Sequence, residues 1–180
     1  MKVAAFLGSP KKKGNTAALL DSVLKGINET ADVENEYFFL HDMKISPCNG
    51  CDACKKADST GCVIKDDMGL IYAALRKADI IILATPIYWW SVTAQMKLMI
   101  DRMYGMDFTC GKKKVAMLMT YGGELPNSGP ETVEKLFVEI CGYLKMEAAG
   151  TLGVCTETMP VSKNEKALKD GFSFGVKILK

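Results

Sequence analysis

Residues 79–91 read DIIILATPIYWWS. Asp79–Thr85 is an apolar run with no polar alternation to mark a solvent face, and Pro86 closes it. Such a run suits a strand buried on both sides. A sheet covered on both faces needs helices above and below it, and the flanking sequence supplies them. Upstream, Met68, Ile71, Tyr72 and Leu75 recur at three- and four-residue spacing, with Asp66 or Asp67 as the helix cap rather than a catalytic carboxylate pair. Downstream, Met96, Met99, Ile100 and Met103 repeat the pattern.

The same alternation continues to both ends. Lys2–Leu7 reads as a buried strand that stops at Gly8, and Thr16–Ile27 as a helix with Leu19, Leu20, Val23 and Leu24 on its inner face. Val33–Leu40 is rich in aromatic and β-branched residues and reads as a second strand. Lys114–Thr120 and Ala148–Cys155 are two further strands. Between them Pro130 opens a helix that faces inward through Val133, Leu136, Phe137, Ile140 and Leu144. Ser162 and Glu165 suggest a capping box for the last helix, where Gly171 and Gly175 would permit close approach to the sheet. Five strands alternating with five helices predict an α/β protein with a parallel sheet and helices on both faces. Right-handed crossovers favour the flavodoxin-like three-layer sandwich, strand order 2-1-3-4-5. The reading is of one domain over residues 1–180, with a cysteine-rich loop at 43–63.

Composition narrows the function. The chain has 180 residues, 48% hydrophobic and 24% charged, with a net charge of +2, ordinary values for a globular protein. Lys11–Lys13 and Lys112–Lys114 are short runs read as solvated loops, not the basic stripe of a nucleic-acid binder. Val3–Leu7 is shorter than a secretory apolar segment, and Ile80–Trp90 is too short to span a bilayer, so a cytoplasmic location with no membrane partner is expected. His41 stands alone, which excludes a histidine-rich metal site, and with no Gly-x-Ser-x-Gly turn nothing resembles a Ser-His-Asp or Cys-His-Asp constellation. The six methionines of Met96–Met119 read as filler for a core or an interface.

The chemistry-bearing motifs all follow strands at their carboxyl ends, where open α/β sheets bind ligands. Gly8-Ser9-Pro10-Lys11-Lys12-Lys13-Gly14-Asn15-Thr16 brings hydroxyls, an amide, lysines and free N–H groups to a helix N-terminus, a setting for phosphate. It lacks the lysine of a Walker A loop and the spacing of a dinucleotide fingerprint. Thr85-Pro86-Ile87-Tyr88-Trp89-Trp90-Ser91 exposes three aromatics that a planar ligand or a second subunit would cover. On an extended segment neighbouring side chains diverge, so Tyr88 or Trp89 would meet the ligand and Trp90 would face elsewhere. Thr120-Tyr121-Gly122-Gly123 allows close backbone approach. Cys48, Cys51, Cys54 and Cys62 follow the second strand in a Cys-x2-Cys-x2-Cys-x7-Cys array. Its short gaps suit a 4Fe–4S cluster, with zinc or free thiols as the alternatives.

GSPKKKGNT (residues 8–16), PCNGCDACKKADSTGCVIKDDM (47–68) and TPIYWWSVTAQMKLMIDR (85–102), taken in order, resemble the iron–sulfur flavoproteins. These belong to the NAD(P)H-dependent FMN reductase group of flavodoxin-like proteins. The resemblance implies FMN, with Ser9, Lys11, Asn15 and Thr16 on the phosphate. The family usually has Arg where this chain has Lys11, which keeps the charge and loses the bidentate fork. It further implies Pro86, Ile87, Tyr88 and Trp89 against the isoalloxazine, with Thr120, Gly122 and Gly123 closing the third side. Cys48, Cys51, Cys54 and Cys62 would hold a 4Fe–4S cluster. The implied activity is an FMN-dependent oxidoreductase that passes electrons from ferredoxin or NAD(P)H to a small-molecule or protein acceptor, as a homodimer or homotetramer. The alternatives are a cluster-free NAD(P)H-dependent FMN or quinone reductase and a passive flavodoxin-like electron carrier.

Overall fold

The computed structural model describes residues 1–106 and 113–180, so Lys112 of the second lysine run lies outside the described residues. The main elements are β1 (Lys2–Leu7), α1 (Asn15–Asn28), β2 (Glu34–Phe39), α2 (Met68–Lys77), β3 (Ile80–Pro86), α3 (Ala94–Met103), β4 (Lys114–Tyr121), α4 (Ser128–Tyr143), β5 (Glu147–Cys155) and α5 (Glu165–Ile178). All neighbouring strands are parallel, in the order β2-β1-β3-β4-β5. The expected flavodoxin-like architecture is the one observed.

The unalternated run in β3 behaves as its sequence demands. Ile81 and Leu83 enter one core, with α2, α3 and α4 supplying Met68, Ile71, Met96, Met99, Val133 and Phe137. Ile80, Ile82 and Ala84 enter the other, with α1 and α5 supplying Leu19, Leu20, Val23, Phe174 and Ile178. Each fully buried Ile or Leu contributes about 1.5–3 kcal/mol relative to exposure. Met96, Met99, Met103, Met106, Met117 and Met119 are all buried in the first core. Among the described residues no helix is long and apolar enough to cross a membrane.

Three local expectations change. Gly171 and Gly175 do make a close approach, but to α1 instead of the sheet. A Cβ on Gly175 would lie 2.1 Å from the Val23 carbonyl oxygen, and one on Gly26 of α1 would lie 2.1 Å from that of Phe172. The two helices lie against the same sheet face, and glycine on both lets their backbones touch. The cap of α5 is Asn164, whose side chain accepts from the Ala167 N–H at 3.0 Å, while Ser162 sits in a 3-10 turn, Val161–Lys163. Lys113 is buried instead of solvated. Its ammonium donates to the carbonyls of Arg76 (2.8 Å) and Ala78 (2.6 Å), satisfying the C-terminal end of α2.

Gly175→Ala is expected to destabilise the fold by about 2 kcal/mol through overpacking. Gly142→Ala, at a helix position with nothing within 4 Å, should be neutral or slightly stabilising. Urea midpoints of the two variants provide the comparison, and equal midpoints would refute the α1–α5 contact.

Candidate functional site

The sheet ladder continues past the strand ends. Gly8 N–H donates to Ala84 O (2.8 Å), Ile87 N–H to Thr120 O (2.8 Å) and Thr156 N–H to Tyr121 O (2.8 Å). The segments after β1, β3 and β4 therefore run side by side at one sheet edge. The residue before α1 is Gly14, which has no side chain to cap the helix. The N–H groups of Asn15, Thr16 and Ala17 have no hydrogen-bond partner among the described residues. Thr16 Oγ1 and Thr120 Oγ1 share a buried hydrogen bond of 2.7 Å, which ties the first turn of α1 to the end of β4. Ser9 is buried and its Oγ accepts from the Lys11 N–H at 3.1 Å, shaping the turn. The Lys11 side chain is exposed. Asn15 Oδ1 accepts from the Val161 N–H at 3.0 Å, which leaves the donor end of its amide for another group. Open N–H donors at the positive end of a helix, beside a lysine, suit a phosphate.

The aromatic segment after β3 is a tight hairpin, not an extended strand. Tyr88 and Ser91 exchange both backbone hydrogen bonds (2.9 and 3.1 Å), and Trp89 and Trp90 form the two-residue turn at φ 51° and 61°. Two positive φ angles match the hairpin turn that usually takes Asn-Gly. Bulky residues there carry a backbone cost of order 1–3 kcal/mol each. The turn changes where the rings go. Trp89 is 89% exposed and Trp90 55%, and they meet edge to face with centroids 5.4 Å apart. Both tryptophans, with Ile87, line a cavity of about 540 Å³, and Tyr88 is not among its lining residues. Pro86 ends β3, half-buried, and like Tyr88 is not among the residues that line the cavity.

Tyr121, Gly122 and Gly123 line the same cavity. Gly123 has φ +75°, and its N–H donates to Glu157 Oε2 at 2.8 Å. A Cβ on Gly122 would come within 2.9 Å of the same oxygen. Asn127 accepts from the Gly129 N–H (2.9 Å) as the cap of α4 and donates to Gly122 O (3.0 Å), so it fixes both helix and loop. Sequence reasoning missed Asn127 and Glu157. Asn127 precedes Ser128-Gly129-Pro130 and was readable as a cap. Glu157 had no local signal, because its partner lies 34 residues away in sequence.

The four cysteines of the array differ in exposure. Cys48 and Cys51 are exposed, while Cys54 and Cys62 are half-buried. Cys62 packs against the core and lines a small cavity together with Tyr72. Among the described residues no three His, Cys, Asp or Glu side chains are grouped to hold a metal ion. Four thiols on one short segment fit a cluster by the chemistry of their donors. His41 is an outlying residue, with Nδ1 3.2 Å from Gln95 Nε2.

The base of this segment contains a buried ion pair. Arg102 Nη1 lies 2.8 Å from Asp66 Oδ2, and Nη2 lies 3.2 Å from Oδ1. Burial alone would raise the Asp66 pKa, but the Arg102 guanidinium and the N–H groups of Ser46 and Met68 outweigh it and hold the carboxyl below its ordinary value. A lowered native pKa gives stability that is present above the unfolded value, about 4, and is lost as pH falls through the native one. Asp66→Asn should therefore be less stable than the native sequence at pH 7, and the gap should narrow as pH falls below about 4. Urea unfolding at pH 7 and pH 3 tests this; a gap independent of pH would refute it.

The sequence model of the NADPH-dependent FMN reductase family matches residues 1–154. An iron–sulfur flavoprotein of Archaeoglobus fulgidus is 34% identical, over 99% of this chain and 79% of its own length. An iron–sulfur flavoprotein of Methanosarcina thermophila is 32% identical over 76% of this chain and 71% of its own. Among solved structures, an FMN-dependent NADH-azoreductase of Bacillus anthracis in complex with FMN has a TM-score of 0.74 over 100% of both chains at 12% identity, a likeness of fold. The matched span takes in the glycine–lysine loop after β1, the aromatic hairpin after β3 and the glycine pair after β4, and the chain belongs to the NADPH-dependent FMN reductase family of flavin-dependent oxidoreductases.

Proposed function

We propose that this chain holds FMN across the ends of β1, β3 and β4 and passes electrons from NAD(P)H or a ferredoxin to a small-molecule or protein acceptor. In this reading Cys48, Cys51, Cys54 and Cys62 hold a 4Fe–4S cluster. The observation that carries the flavin site is the Thr16–Thr120 hydrogen bond, because it fastens an open helix N-terminus beside the cavity wall formed by Tyr121, Gly122 and Gly123. The phosphate would take the free N–H groups of α1, with Ser9, Lys11, Asn15 and Thr16 around it. The ring would lie among Pro86, Ile87, Tyr88, Trp89, Thr120, Gly122 and Gly123, and the cavity adds Trp90 to that set. When bound, FMN takes up electron pairs as hydride and releases electrons singly.

The protein's own part is binding and positioning. The α1 donors fix the phosphate end, and glycine at 122 and 123 keeps side chains out of the space beside the ring. Glu157 holds the Gly123 N–H in place. A cluster on the four thiols would supply one-electron exchange, which suits a ferredoxin donor. Support for it comes from the cysteine spacing and from the relatives named as iron–sulfur flavoproteins. Reduced thiols fit a cytoplasmic setting. The exposed Trp89 and Trp90 fit burial in a homodimer or homotetramer.

Asn15→Ala combined with Thr16→Ala should weaken FMN binding, each lost charge-assisted bond costing about 1.5–3 kcal/mol. Fluorescence titration of the flavin-free protein reads this directly, and unchanged affinity would remove the phosphate assignment.

Protein purified without oxygen should contain FMN, iron and acid-labile sulfide. Cys54→Ser should lose iron and cluster absorbance while keeping FMN, since the flavin contacts lie on other loops. Full FMN with no iron or sulfide in the native sequence would establish the cluster-free reductase instead.

A further inference from the structure

Arg102 sits in the last turn of α3 and is 1% exposed. Beyond its pair with Asp66 it donates to Ser46 O (2.8 Å) and Ile64 O (3.4 Å). Asp66 in turn accepts from the N–H groups of Ser46 (2.8 Å) and Met68 (3.1 Å). Next to it, Asp67 accepts from the Lys44 N–H (2.7 Å) and donates its own to Lys44 O (3.1 Å). These bonds join residues 44–46 to residues 64–67. The chain between them forms a closed loop, and all four cysteines of the array lie on it. A guanidinium that belongs to neither end bonds both sides of this closure.

We propose that Arg102, paired with Asp66, is a positioning residue for the cysteine loop, and that α3 sets where that loop stands relative to the flavin site. The inference rests on the reading of Cys48, Cys51, Cys54 and Cys62 as the cluster ligands. At its other end α3 is fastened to the flavin side. The Thr93 hydroxyl donates to Gly8 O at 2.5 Å, and the Thr93 N–H donates to Thr85 Oγ1 at 3.2 Å. A ten-residue helix is about 15 Å long, so a single rigid element spans from the β1 and β3 ends to the base of the loop. Tyr72 donates to Arg102 O at 2.5 Å and, with Cys62 and Asp66, lines a small cavity at the base of the loop.

Stability alone explains this arrangement poorly. A buried ion pair seldom outperforms well-packed apolar side chains of the same volume. Arg102 Nε is moreover buried without a hydrogen-bond partner among the described residues, a cost that an ordinary core position avoids. A fork that grips three points on two chain segments makes sense where the register between them matters.

The test is amide hydrogen exchange on the FMN-loaded protein, compared for the native sequence, Asp66→Asn, Arg102→Lys and Tyr72→Phe, together with iron analysis after anaerobic reconstitution. Asp66→Asn and Arg102→Lys should raise exchange in residues 44–66 about tenfold, with β1 and β3 unchanged and FMN affinity retained. Both variants should hold less than half the iron of the native sequence. Tyr72→Phe, which frees the Arg102 carbonyl but leaves the guanidinium fork in place, should keep its iron. Unchanged exchange in 44–66, or a rise spread evenly over the chain, overturns the proposal. If the buried-pair variants do not fold, Tyr72→Phe decides: locally faster exchange around Cys62 supports the proposal and unchanged exchange overturns it. A native protein that takes up no iron refutes the cluster reading alone, and the exchange measurement then still decides the clamp.

Discussion

Parallel strands cannot be joined by a tight turn. Each must be followed by a crossover, and in this chain each crossover is built around a helix on one face of the sheet. All strand ends of one polarity therefore lie at one edge, and every loop that follows a strand begins there. The phosphate-like loop, the aromatic hairpin, the glycine pair and the cysteine segment come from four separate parts of the sequence. They share an edge because the hydrogen-bonded ladder leaves them no other place.

Polar bonds between these loops convert a shared edge into a site. Thr16 and Thr120 join hydroxyls across 104 residues of chain, inside the fold where a hydrogen bond must be satisfied. Thr93 ties the start of α3 to β1, and Arg102 ties its end to the cysteine segment. Each of these residues belongs to one element and satisfies backbone or side-chain groups on another. The hydrophobic cores give the layers their cohesion, while these few bonds set the relative positions of the functional loops.

The two tryptophans show how far local context can override a local rule. Adjacent side chains diverge on an extended chain, yet Trp89 and Trp90 both sit at positive φ and both border the cavity. Strain of this kind persists only where the surroundings enforce it, and it concentrates at sites that act on ligands. Glu157 is a related case. An exposed carboxylate past β5 looks solvated in the sequence, but it holds a glycine N–H of the cavity wall.

Periodicity alone determined the layers. The unalternated Asp79–Thr85 run, the three-four spacing of the helices and the glycine punctuation at strand ends led to five parallel strands in the observed order, with boundaries that differ by a residue or two. These signals are local, since burial on one face or two is written directly into side-chain polarity. The motifs after β1, β3 and β4 were legible for the same reason. Tertiary structure alone decided which partner each polar residue found: Lys113 on the end of α2, Gly175 against α1, Asn164 as the cap, Glu157 on Gly123, and Arg102 across the base of the cysteine loop. A hydrogen bond or an ion pair depends on two atoms meeting in space. When those atoms lie tens of residues apart, only the folded chain brings them within reach.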